Sequence, residues 1–130
     1  GSIQQGSELT AQDLEEQAWV MREPGSGTRQ AMAKALTHIG LDVDRLRTAM
    51  EVRSTQATVA CVAAGIGLSA TSRLVAMPLV EQGVLEILEV AGLVMERQFF
   101  AISRLGRNML PATKVFAKYL IKECSRLYTT

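Results

Sequence analysis

Arg22-Glu23-Pro24-Gly25-Ser26-Gly27-Thr28-Arg29 is the stretch that decides how this chain is read. Just upstream, Ala18-Trp19-Val20-Met21 is short and apolar, the pattern of a buried strand. Just downstream, Met32, Ala35, Leu36 and Ile39 recur at the spacing of one helix face. The stretch is therefore a strand-to-helix turn. Pro24 stops the strand, the two glycines allow a sharp bend, and Ser26 or Thr28 can cap the helix that follows. Free N–H groups at a helix N-terminus beside small hydroxyls suit an anion, and the same residues equally suit plain capping. No Lys-Ser/Thr follows the second glycine, and the third glycine of a dinucleotide fingerprint is missing. Walker-type and dinucleotide-binding turns are thereby excluded.

The chain has 130 residues, enough for one domain around one core. Aromatics make up only 5%, so aliphatic side chains and six methionines must fill that core. A net charge of +1 carries no electrostatic footprint for nucleic acid. No apolar run is long enough to cross a bilayer, and no signal peptide is expected, so the protein reads as cytoplasmic. The opening Gly1-Ser2 without methionine reads as a cloning remnant, residues 1–8 as loose, and the natural chain as longer. Cys61 and Cys124 each sit in a helical pattern and read as free buried thiols.

Thr10 and Asp13 form a capping signature, with Leu9 placed to staple against Leu14, so one helical turn is expected there. The turn is followed by a strand at 18–21 and a helix from Gly27 to Ile39 that stops at Gly40. Residues 48–52 read as a weak strand, and Ser54-Thr55 opens a helix closed by Gly65. Strands are expected at 66–70, 84–90 and 96–103, the last being the longest. Ser72 caps a helix ending at Gly83, with Pro78 in its first turn or breaking it in two. Leu110-Pro111 starts a final amphipathic helix to about Arg126, whose stripe is Ala112, Phe116, Tyr119, Leu120, Cys124 and Leu127.

Alternation of strands and helices argues for an α/β domain, a three-layer sandwich with a mostly parallel sheet. Ligands of such sheets sit beyond the carboxyl ends of the strands. Two turns, Ser26/Thr28 and Ser54/Thr55, bring hydroxyls and helix N-termini to that edge.

Three motifs in order resemble the C-terminal part of the effector-binding domain of LysR-type transcriptional regulators. They are Trp19 to Arg29; Ser54-Thr55-Gln56 followed by Val62-Ala63-Ala64-Gly65-Ile66-Gly67-Leu68 and Ser72-Arg73; and Phe100, Ser103 and Arg104-Leu105-Gly106-Arg107 before the Leu110-Pro111-Ala112 helix. Gln56, where many members carry Glu, and Pro78 depart from the pattern.

The resemblance implies half of a type 2 periplasmic-binding-protein-like fold. It implies a regulatory fragment over 9–126, mainly a second subdomain at 18–95. A crossover strand at 96–104 and a C-terminal helix at 110–126 would return to a first subdomain that this chain lacks. It also implies a small anionic or polar effector bound in a cleft between subdomains, and a homo-oligomer, dimer or tetramer. DNA would be bound only through a winged helix-turn-helix outside this chain. A solute-binding protein of a transporter is the alternative. The helix at 110–126, without its partner, is expected to pack on a second copy or to lie against exposed apolar surface.

The effector-binding residues carried over are Ser26, Gly27, Thr28, Ser54, Thr55 and Phe100, the last as a cleft wall. Arg29 can pair with a ligand, with Glu23 or with Glu51. No cofactor, metal or catalytic residue is expected. The single histidine, His38, suits the end of its helix, and no triad or metal-ligand cluster is visible.

Overall fold

The computed structural model describes residues 9–106 and 108–128. Its elements are α1 (Ala11–Glu15), β1 (Ala18–Arg22), α2 (Gly27–His38), a 3-10 turn (Val43–Arg45), β2 (Arg47–Val52), α3 (Thr55–Ala63), α4 (Arg73–Glu81) and α5 (Pro111–Tyr128). They fall into two compact units, one ending at Arg97 and one starting at Gln98.

In the first unit β1 is the centre. Trp19, Val20 and Met21 are all buried, because the strand is covered on both faces. It pairs in parallel with β2, and one extra β2 residue, Ala49, is accommodated between Trp19 and Val20. On the other side Val20 N–H donates to the Leu68 carbonyl and Leu68 N–H to the Ala18 carbonyl, both at 2.8 Å. Leu14, Trp19, Met21, Met32, Leu36, Leu41 and Leu46 form the core cluster, which joins β1 to the buried face of α2. The Trp19 indole N–H is satisfied by the Leu14 carbonyl at 2.9 Å, so the largest core ring carries no unpaired donor.

Helix ends follow the local chemistry. Thr10 and Asp13 make the full capping box on α1, and these hydrogen bonds from Thr10 hold the Asp13 carboxyl below its ordinary range. Past α2, Gly40 takes φ +84°, and Leu41 N–H reaches back to the Leu36 carbonyl at 2.9 Å. That is the Schellman closure, and Gly65 and Gly83 end α3 and α4 the same way.

Several expectations are corrected. Residues 66–70 form a single bridge, Trp19 to Leu68, and no strand. The next rung would use the Val20 carbonyl, but the Ser69 hydroxyl donates to it at 2.7 Å. Residues 84–90 form only the Leu9–Val90 bridge, and 96–103 form no strand. Branched and aromatic residues favour a pleated, half-covered surface, and these segments have no neighbouring strand among the described residues. The sheet proper is thus two-stranded, with every pairing parallel. Pro78 neither opens nor breaks α4. It lies inside an unbroken helix that buries none of its residues, where one missing N–H is tolerated. Ser72 stands at the cap position of α4, but its hydroxyl makes no cap bond. Both cysteines are free, yet Cys61 is only half-buried and Cys124 is exposed, so neither is a core thiol.

In the second unit, α5 begins at Pro111, and its stripe is open. Phe116, Tyr119 and Leu120 are 62%, 61% and 41% exposed. The Leu127 side chain lies outside the described residues.

Candidate functional site

The turn after β1 is built in three steps. Glu23 N–H donates to the Val52 carbonyl at 3.1 Å and keeps β1 and β2 together to their ends. Ser26 N–H then donates to the Glu23 carbonyl at 3.1 Å across Pro24 and Gly25, the latter at φ +91°. Proline followed by a glycine of positive φ is the pattern of a type II turn. Finally the Ser26 hydroxyl accepts from Arg29 N–H at 3.4 Å, so Ser26, and not Thr28, is the cap of α2.

Thr28 has another partner. It is buried, and its hydroxyl accepts from Arg97 Nη1 at 3.0 Å. The Arg97 guanidinium lies over Gly27: a Cβ there would stand 2.7 Å from Nη2.

The turn after β2 repeats the plan. The Ser54 hydroxyl accepts from Ala57 N–H at 3.1 Å and caps α3, while the Thr55 hydroxyl accepts from Arg22 Nη1 at 3.2 Å. Arg22 thereby ties the two turns together. Its other nitrogens grip Glu23 at 2.9 and 3.1 Å. That contact pushes the Arg22 guanidinium up and, through hydrogen bonds from Arg22 first, holds the Glu23 carboxyl below its ordinary range. Arg29 donates to the Arg22 carbonyl at 2.8 Å and lies 3.7 Å from Glu51, so of its two candidate acidic partners it takes Glu51.

Ser26, Gly27 and Thr28 are thus gathered at the carboxyl end of β1, and Ser54 and Thr55 at that of β2. Phe100 lies in the second unit and is 78% exposed. Arg22 and Arg97 are missing from the sequence expectation. Arg22 could have been found, because it is the last residue of the strand that leads into the turn. Arg97 lies 69 positions from Thr28, and no local pattern marks it.

His38, at the far end of α2, lines a separate groove of about 380 Å³ with Lys34, Gly92, Val94 and Glu96. Among the described residues no group of three or more His, Cys, Asp or Glu could hold a metal. No helix among them is long and apolar enough to cross a membrane.

The family model for the LysR substrate binding domain matches residues 2–125. The chain belongs to the LysR substrate-binding domain family. That membership carries a periplasmic-binding-protein-like α/β fold, with which the parallel pairing around β1 agrees. A LysR-family relative, the RuBisCO operon transcriptional regulator of Acidithiobacillus ferrooxidans, is 34% identical over 91% of this chain and 37% of its own length. The HTH-type transcriptional regulator CbbR of Rhodospirillum rubrum is 35% identical over 86% of this chain and 37% of its own. HTH-type transcriptional regulator CysL of Bacillus subtilis is 39% identical over 51% of this chain and 21% of its own. The chain spans little more than a third of the first two relatives.

Proposed function

We propose that this chain is part of the ligand-sensing domain of a LysR-type transcriptional regulator, and that the turns after β1 and β2 form one wall of its effector site. The observation that carries this reading is the convergence of Ser26, Thr28, Ser54 and Thr55 at the carboxyl ends of paired parallel strands, joined by Arg22. On the resemblance alone, Phe100 belongs to the same site. The opposite wall comes from a first subdomain outside this chain, to which residues 96–104 and 110–126 return, and the complete subdomain is a three-layer α/β sandwich. Effector binding shifts the balance between two arrangements of the subdomains and so of an oligomer on DNA. DNA is held by a winged helix-turn-helix in another part of the protein, which works in the cytoplasm and is not an enzyme. The names of the relatives, all transcriptional regulators, favour this over a transporter's solute-binding protein.

Thr28→Val in the full-length regulator tests the reading, because it removes a buried hydroxyl at nearly constant volume. Metabolites that raise the Tm of the parent protein are expected to bind the variant roughly tenfold more weakly, the scale of one lost hydrogen bond in a dry site. The Arg97 donor stays exposed to water, so the unliganded Tm should move by only a few degrees, on the order of a surface substitution. Equal affinity in the variant would reduce Ser26-Gly27-Thr28 to a helix cap.

A further inference from the structure

The net charge of +1 conceals a division between the two units. Residues 1–97 hold eight Lys and Arg against twelve Asp and Glu, and residues 98–130 hold six against one. The first unit therefore stands at −4 and the second at +5. Such asymmetry between the parts of a chain points to a polyanionic partner for the basic part.

Most of the second unit's charge lies on α5 in one row. Lys114, Lys118, Lys122 and Arg126 fall at every fourth position, so they form a gently winding stripe about 18 Å long. All four are exposed. Glu123, the one acidic residue after Gln98, pairs with Arg126 at 3.0 Å. The three lysines have no ion pair among the described residues. Like charges four apart on a helix repel, a cost that an anionic partner removes. Lys118 stands two residues from both Phe116 and Leu120, about 200° round the helix from each, so the lysines face away from the apolar stripe. Whatever covers that stripe leaves them facing water.

We propose that this row of lysines rests on the phosphate backbone of duplex DNA and adds a sequence-independent contact to the regulator. This rests on reading the chain as part of a DNA-binding regulator, in which a winged helix-turn-helix elsewhere reads sequence and holds the duplex at high local concentration. A row of point charges suits phosphates, of which about 18 Å of duplex carries roughly ten. Two other occupants fit less well. A helix lying on a membrane surface needs its apolar face free, and on the same reading that face is covered by the first subdomain. The acidic unit of a second copy is already partly engaged: Asp13, Glu15, Glu23 and Glu51 are held by Thr10, Arg45, Arg22 and Arg29.

Fluorescence anisotropy of a short labelled duplex of random sequence, titrated with this chain, tests the proposal. Saturable binding is expected, with an affinity that falls a few hundredfold between roughly 20 and 200 mM salt, a logarithmic slope of about −3 for three lysine contacts. The combined Lys114→Gln, Lys118→Gln and Lys122→Gln variant should bind roughly tenfold or more weakly at the lower salt, with a shallower slope. The corresponding three arginine substitutions should retain both affinity and slope, because a phosphate needs only the charge. The three side chains are exposed, so both variants should keep the parent Tm. Duplex affinity and slope unchanged in the glutamine variant would overturn the role of the stripe. Tighter lysine-dependent binding to phosphatidylserine vesicles than to duplex would give the stripe to a membrane surface, and lysine-dependent self-association in sedimentation would give it to a second copy. Either result, or no binding to duplex, would overturn the DNA contact. None of these failures touches the sensing reading, which is decided separately by the effector affinity of Thr28→Val.

Discussion

Gly67→Ala is expected to cost about 3 kcal/mol of stability, the upper range for forcing extra volume into packed structure. The new Cβ would collide with the Ala18 carbonyl oxygen and stand 2.7 Å from the Ala18 carbonyl carbon and 3.2 Å from Trp19 N. These are backbone atoms and cannot rotate aside. The same carbonyl accepts from Leu68 N–H at 2.8 Å, so backing away breaks the rung that holds the 66–70 segment to β1. A melt should show Tm lowered by more than roughly 10 °C, given about 4–8 °C per kcal/mol for a unit of this size. Amide exchange at Val20 and Leu68 should accelerate with it. A Tm within roughly 2 °C of the parent, well under 1 kcal/mol, would mean the segment does not approach β1 this closely.

Leu36→Ala is expected to cost a similar amount, about 3 kcal/mol, by the opposite route of leaving a cavity. Leu36 is fully buried in the cluster that joins α2 to β1. Its carbonyl also accepts from Ile39 and Leu41 N–H, so the helix end rests on the same residue. Urea denaturation should show a lower midpoint at nearly unchanged slope. Leu74→Ala, on a side chain that is 78% exposed, is the control and should stay within about 0.5 kcal/mol. A Leu36→Ala loss under about 1 kcal/mol would place the core elsewhere.

The parts of the fold that could be read from sequence are those whose chemistry is local. Strand β1, helix α2 and the turn between them depend on Pro24, Gly25 and Ser26, and all three do what their residue types do best. The glycines at 40, 65 and 83 close their helices for the same reason. Segments 84–90 and 96–103 were misread because a strand exists only where a neighbour pairs with it, and composition does not report neighbours. The 66–70 segment was half legible: its position beside β1 holds, but its residues are only half-buried and the Ser69 hydroxyl takes over the next rung. Pro78 misled because a single lost N–H breaks a helix less readily than its reputation suggests. At the candidate site the hydroxyls could be read and the arginines could not. Ser26 and Thr28 announce themselves beside glycine before a helix, whereas Arg97 reaches Thr28 only through tertiary folding.

Hydrogen exchange of the full-length regulator, with and without a small metabolite that raises its Tm, bears most directly on the central claim that this edge senses the effector. The account predicts slower exchange in residues 23–30 and 53–58, the two turns and the first turns of α2 and α3. Protection confined to other surfaces, such as the groove lined by Lys34, His38 and Glu96, would contradict it.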